Sequence, residues 1–195
     1  MARGAPPRES LIAEHAPGRS FLDVGCMWSV NGALCFAAED AGATAVTGVD
    51  VMGATPEFTA EHERRGSRVA FVQGDLHDPA LAVEPHDVVW CSGVIYHAPH
   101  PLLTLERLRS LTGSTLLLAT EVVGEVRGRP RAAFFAPEPG SHPAHTLAFD
   151  PAQGYGNWYW GLAPSAVMAM VEASGFDVVD EYRTKHHLTV VGRAR

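Results

Sequence analysis

The chain has only three cysteines, Cys26, Cys35 and Cys91, in 195 residues. An odd count in apolar surroundings excludes a disulfide framework and points to reduced core thiols, as in a cytoplasmic protein. No run reaches the ~18 unbroken apolar residues of a membrane helix, so no membrane span is expected. The first ten residues, MARGAPPRES, lack an apolar centre, so no secretory signal is expected. Basic residues are outnumbered, giving a net charge of −7, which argues against a protein that coats nucleic acid while leaving room for a local basic patch. A glycine fingerprint of the form G-x-G-x-x-G is missing after Gly25. No cysteine stands at zinc spacing, and prolines interrupt the pairs His97/His100 and His142/His145, so no metal site is expected. What is present is a globular balance, 46% hydrophobic and 19% charged, at a length suited to one domain.

Apolar runs at Phe21–Gly25, Ala45–Asp50, Arg68–Gln73, Asp87–Cys91 and Ser114–Val123 alternate with helical patterns at 32–42, Pro56–Arg65 and Pro101–Leu111. The runs lack a polar face, as strands covered on both sides do. Phe176–Tyr182 and His187–Val191, joined through Thr184-Lys185, read as a closing antiparallel hairpin after a helix that begins at Pro164. The expected fold is therefore α/β, a doubly wound and mostly parallel sheet of seven strands with an antiparallel last strand. Residues 1–195 read as a single domain. The stretch from Gly124 to Tyr155, with five prolines and Arg127, Arg129 and Arg131, breaks the rhythm and is expected to be a loop or lid.

Ligands of such sheets lie beyond the carboxyl ends of the strands. Asp23, Asp50, Asp75, Ser92 and Glu121 all fall there. Asp23 stands two residues before the turn glycine. A carboxylate ~4 Å from a cation gains up to ~4 kcal/mol at an effective dielectric of 20, and loses as much beside an anion. That favours a nucleoside bearing an ammonium group, such as S-adenosylmethionine, over a pyrophosphate; the bland alternative is a capping aspartate. Asp50 suits the two ribose hydroxyls, or is a solvated loop acid. Asp75 suits the adenine amino group with Leu76 as an apolar wall, or forms an Asx-turn.

The order Phe-Leu-Asp-Val-Gly-Cys (21–26), Val-Thr-Gly-Val-Asp (46–50) and Gly-Asp-Leu (74–76) resembles class I S-adenosylmethionine-dependent methyltransferases over residues 19–123, and more loosely over 156–193. The segment from Asp87 to Leu102, with Gly93-Val-Ile-Tyr96-His97 and Pro101-Leu102, is similar to the methyltransferases related to the tRNA wobble-uridine carboxymethyl-transferring enzyme. The resemblance implies a Rossmann-like fold. It implies a cofactor site of Asp23, Gly25, Cys26, Asp50, Val51, Asp75, Leu76, Cys91 and Ser92, and S-adenosylhomocysteine (SAH) as product. Two departures stand out. Met27 and Ser29 occupy positions where the family has glycine, or the loop carries extra residues before Gly32. The basic residues that follow the Tyr-His pair in the tRNA-modifying relatives are replaced by Ala98-Pro99, so neither the carboxylated cofactor nor the tRNA substrate is carried over.

Methyl transfer needs the acceptor atom ~3–3.5 Å from the sulfonium methyl, and often a base. His97 is the first candidate base, because imidazole titrates near neutrality, with Glu121 as the alternative and Tyr96 as an orienting group. Trp158, Tyr159 and Trp160 are expected to wall a small-molecule acceptor. Each has a structural alternative: a loop-capping histidine, an ion-paired glutamate, a core aromatic patch. The expected activity is methyl transfer to a small molecule. The alternatives are a cofactor-binding subunit without catalysis and a tRNA-modifying enzyme. With little chain ahead of the first strand, the cover over the cofactor is expected from 124–155 or from the second subunit of a homodimer.

Overall fold

The computed structural model describes residues 7–135 and 160–195. Their elements run α1 (Arg8–His15), β1 (Ser20–Val24), α2 (Ala33–Asp40), β2 (Ala45–Asp50), α3 (Pro56–Arg65), β3 (Ala70–Gln73), β4 (His86–Ser92), α4 (Pro101–Leu111), β5 (Thr112–Glu121), β6 (Ala133–Phe135), β7 (Trp160–Leu162), α5 (Pro164–Ala173), β8 (Phe176–Arg183) and β9 (His187–Ala194). Seven strands form one sheet in the order β3-β2-β1-β4-β5-β9-β8. The β1/β2, β1/β4, β2/β3 and β4/β5 pairs are parallel, and β9 runs antiparallel to both β5 and β8. The order of strands reverses between β1 and β4, which puts the ligand crevice beyond their carboxyl ends.

Local chemistry explains the helices. Thr55 caps α3, its hydroxyl accepting from the Phe58 amide at 3.1 Å, Pro56 opens the first turn and Gly66 closes the last in a left-handed conformation. Pro101 and Pro164 open α4 and α5 in the same way. The central strands are buried on both faces. Leu22, Val24, Val89, Cys91, Leu116 and Leu118 pack towards α4 and α5, while Phe21, Val88, Trp90 and Leu117 belong to the opposite core with α1, α2 and Phe58 of α3. This two-sided burial is what the unbroken apolar runs required.

Two features escaped the sequence pattern. Helix α1 lies in the Pro-containing lead, to which the sequence pattern assigned no element, and its Leu11 and Ile12 are buried against α2. The pair β6/β7 forms a small antiparallel ribbon outside the main sheet. The strand boundaries also move: β3 begins at Ala70 rather than Arg68, and β5 covers 112–121 rather than 114–123. Most of the expected lid, 136–155, lies outside the described residues. Among the described residues no helix is long and apolar enough to cross a membrane.

Ile12 is 1% exposed. Ile12→Ala should therefore cost about 2–4 kcal/mol, as truncation in a packed core does. Urea denaturation measures it; a loss below ~0.5 kcal/mol would make α1 a surface attachment rather than part of the core.

Candidate functional site at the carboxyl edge of the sheet

The turn after β1 is built around one glycine. Gly25 has φ +84°, and a Cβ there would lie 2.5 Å from Val94 Cγ2. No side chain fits, and the backbone is left open to close approach. The Gly25 amide donates to the Val49 carbonyl at 2.8 Å, and the Gly32 amide to that of Cys26 at 2.7 Å. Between them the chain makes extra turns before α2. Ser29 and Asn31 take the left-handed conformation, φ +59° and +48°, that glycine usually supplies. Asn31 Oδ1 accepts from Thr55 Oγ1 at 3.0 Å, which ties the turn to the cap of α3. Cys26 and Met27 are fully buried, whereas Trp28 is 43% exposed.

Asp50, last in β2, holds this turn. Its Oδ2 accepts from the Met27 amide at 2.7 Å and its Oδ1 from the Met52 amide at 2.9 Å, and the Trp28 and Val51 amides also face the carboxylate. Burial pushes its pKa up, and the four amides oppose that shift. Asp23 sits deeper, between the sheet and α2, 1% exposed, beside Gly48 and Trp90 in register. Its Oδ2 accepts from Cys35 Sγ at 3.5 Å. Burial raises its carboxyl to about 7, and the neighbouring Asp50 charge adds to the rise. The Cys35 thiol is held well above its ordinary value by its hydrogen bond with Cys26 and by burial. Asp23 is thus enclosed behind the turn rather than placed at its mouth.

The loop after β3 carries Asp75 and Leu76. Asp75 Oδ1 accepts from the His77 amide at 2.8 Å, an Asx-turn. Leu76 is 6% exposed, and its carbonyl accepts from Arg107 Nε of α4 at 3.1 Å. His77 Nε2 lies 2.8 Å from Thr104 Oγ1, so α4 fixes this loop from below. His77 and Arg107 were not anticipated; no sequence spacing joins them, since the contact comes from α4 crossing under the loop.

Beyond β4 lies the other half of the edge. Cys91 is buried, its thiol raised by desolvation, and Ser92 ends the strand half-buried. Tyr96 and His97 follow, ring centroids 4.1 Å apart, with the His97 amide donating to the Val94 carbonyl at 3.0 Å. The Trp160 amide donates to the Tyr96 carbonyl at 2.7 Å, and the Val123 amide to the Leu162 carbonyl at 3.0 Å. Strand β7 thereby knits the loop after β4 to the tail of β5. Glu121 ends β5 directly opposite His187 of β9. The structure thus brings Tyr96, His97 and Trp160 together; Trp158 and Tyr159 lie outside the described residues. No group of three metal-ligating side chains occurs among the described residues.

Residues 21–112 match the family model of a methyltransferase domain. That stretch is a little under half of the chain, and over it the chain is similar to a methyltransferase domain. A curated relative, the ubiquinone biosynthesis O-methyltransferase of Actinobacillus pleuropneumoniae serotype 5b (strain L20), is 33% identical over 100 residues, which is 48% of this chain and 41% of that enzyme. The match thus spans about two fifths of that relative's length. Among solved structures, the N-terminal domain of EvdMO1, crystallised in the presence of SAH and D-fucose, superposes with a TM-score of 0.72 at 21% identity, covering 96% of this chain and 82% of that one. The Burkholderia thailandensis 1,6-didemethyltoxoflavin-N1-methyltransferase, with its substrate and SAH bound, gives 0.68 at 22% identity, covering 96% and 76%. These likenesses establish the Rossmann-like methyltransferase fold, and the seven-stranded order above is its framework.

The raised Asp23 carboxyl makes the stability of the fold depend on pH. The folded state holds the proton up to about 7, the unfolded chain only to 3.8. The contribution is complete below the unfolded value and is lost as pH rises through the folded one, at about 1.4 kcal/mol per pH unit in between. Wild type should lose stability relative to Asp23→Asn between about pH 4 and 7, and denaturation curves across that range measure the difference. A constant difference would mean that Asp23 ionises inside the fold as readily as outside.

Proposed function

We propose that the protein transfers a methyl group from S-adenosylmethionine to a small-molecule acceptor. The observation that carries this reading is the first turn: a glycine with no room for a Cβ, flanked by the Asp50 carboxylate, at the switch point of a methyltransferase sheet. The O-methyltransferase relative and the small molecules named with the structural neighbours support the acceptor class. When bound, S-adenosylmethionine supplies an electrophilic methyl on a sulfonium and is left as SAH.

The chain's own groups do the rest. Gly25 and Cys26 let the backbone meet the methionine part. Asp50 is bonded by the Met27 and Met52 amides and faced by those of Trp28 and Val51, so the ribose hydroxyls would share its oxygens with these amides, with Val51 alongside. Leu76 walls the adenine, Asp75 faces its amino group, and Cys91 and Ser92 close the floor. Asp23 is a reserve of negative charge behind the turn, which an ammonium group draws into ionisation. Tyr96 orients the acceptor, His97 takes its proton, Glu121 is the alternative base, and Trp160 with Trp158 and Tyr159 walls the pocket. In motif the Tyr96-His97 segment is similar to the wobble-uridine-related methyltransferases, whose substrate is not carried over. On this reading residues 1–195 make a single domain, and the cover over the cofactor would come from about 124–155, of which 136–155 lie outside the described residues, or from a neighbouring subunit.

Calorimetric titration with SAH tests this reading. Binding is expected; absence of heat overturns it, and binding without turnover on a broad acceptor panel would make the protein a cofactor-binding subunit instead. Asp50→Asn should raise the SAH Kd by about 10–100-fold, the usual effect of losing a charged hydrogen-bond partner.

A further inference from the structure

Trp28 has no role in the site as described. It is an indole 43% exposed on a turn whose two preceding residues are fully buried. Tryptophan is highly buried on average, and an exposed one beside a ligand crevice is a contact surface in waiting. Its backbone is not free. The Trp28 amide faces the Asp50 carboxylate, the Met27 amide is bonded to the same group at 2.7 Å, and Asn31 is tied to Thr55 three residues on. The indole therefore springs from the residue next to Met27, whose amide is bonded to the carboxylate assigned to the ribose. The turn also spends two left-handed non-glycine residues, Ser29 and Asn31, on this course. Such conformations are unfavourable for non-glycine residues and persist where the surroundings fix them.

We propose that Trp28 is a cofactor-positioning residue whose indole packs on the nucleoside half of S-adenosylmethionine. The inference rests on the function proposed above. The glycines that usually leave space at this turn are replaced by a longer turn that supplies a wall. The indole covers the ribose side while Asp50 holds the hydroxyls, so one short segment provides both the polar and the apolar contact.

The test titrates wild type, Trp28→Ala and Trp28→Phe with SAH and with 5′-methylthioadenosine, which keeps the nucleoside and lacks the amino acid. Trp28→Ala should weaken both ligands by about 5–20-fold, and Trp28→Phe by about 2–4-fold, in line with loss of an aromatic packing contact. Thermal melts of the free proteins should agree within ~2 °C, because the indole is exposed. SAH should quench the tryptophan fluorescence of wild type, with the quench reduced in Trp28→Phe; this reading serves also if Trp28→Ala fails to fold. If wild type binds SAH and the variants bind both ligands equally well, the inference is overturned and the cofactor site stands. Weakening of SAH alone likewise overturns it, by moving the contact to the amino-acid half. If wild type binds neither ligand, the cofactor reading fails and takes this inference with it.

Discussion

The Asp50 carboxylate is the interaction on which the functional edge depends. It gathers backbone amides from the turn after β1 and from its own loop, with the Met27 and Met52 bonds at 2.7 and 2.9 Å. Removing a carboxylate from water is costly, and here the cost is offset by amide donors rather than by a cation. The same bonds decide where the turn lies. Without them nothing polar would hold Met27 and Trp28 against β2, and the Asn31–Thr55 bond would be the remaining side-chain tie to α3. Gly25 sets the other limit, since Val94 leaves its neighbourhood too narrow for a methyl group.

Two acids stand near one another at this edge, and their environments separate them. Asp23 is enclosed, has a weak thiol donor and feels the Asp50 charge, so its carboxyl stays protonated to about 7. Asp50 has four amides working to keep it ionised. Neutrality at Asp23 spares the edge a second buried negative charge until a cation arrives to stabilise it. The sequence placed Asp23 in direct contact with the ligand's ammonium. In the structure it lies enclosed behind the turn, 1% exposed, with the Cys35 thiol 3.5 Å away.

Much of the fold was readable because parallel strands buried on both faces leave unbroken apolar runs, and because Thr55, Pro56, Gly66, Pro101 and Pro164 mark helix ends by their own chemistry. Helix α1 was not readable. It has eight residues, and its buried Leu11 and Ile12 are adjacent, so they trace no helical period. Strands β6 and β7 are three residues each and far apart in sequence, held by pairing that no local pattern encodes. At the site, the strand-end acids were legible one by one. Their division into a protonated and an amide-bound carboxylate was not, because desolvation depends on what packs around each. The missing glycines also misled locally, for Ser29 adopts a left-handed backbone without being glycine.

The two halves of the edge differ in how they are built. The half around the turn after β1 uses backbone amides, one glycine and carboxylates at strand ends, all carried by the parallel strands. The acceptor half is assembled across elements: Tyr96 meets Trp160 through a backbone bond to β7, the tail of β5 meets Leu162, and Glu121 faces His187 only because β9 runs antiparallel. A nucleoside common to many reactions is recognised by the first kind of construction, whereas an acceptor particular to one reaction is recognised by side chains that loops bring together. On the proposed reading, substrate choice would follow the contacts around Tyr96 and Trp160, which are built independently of the Asp50-anchored turn.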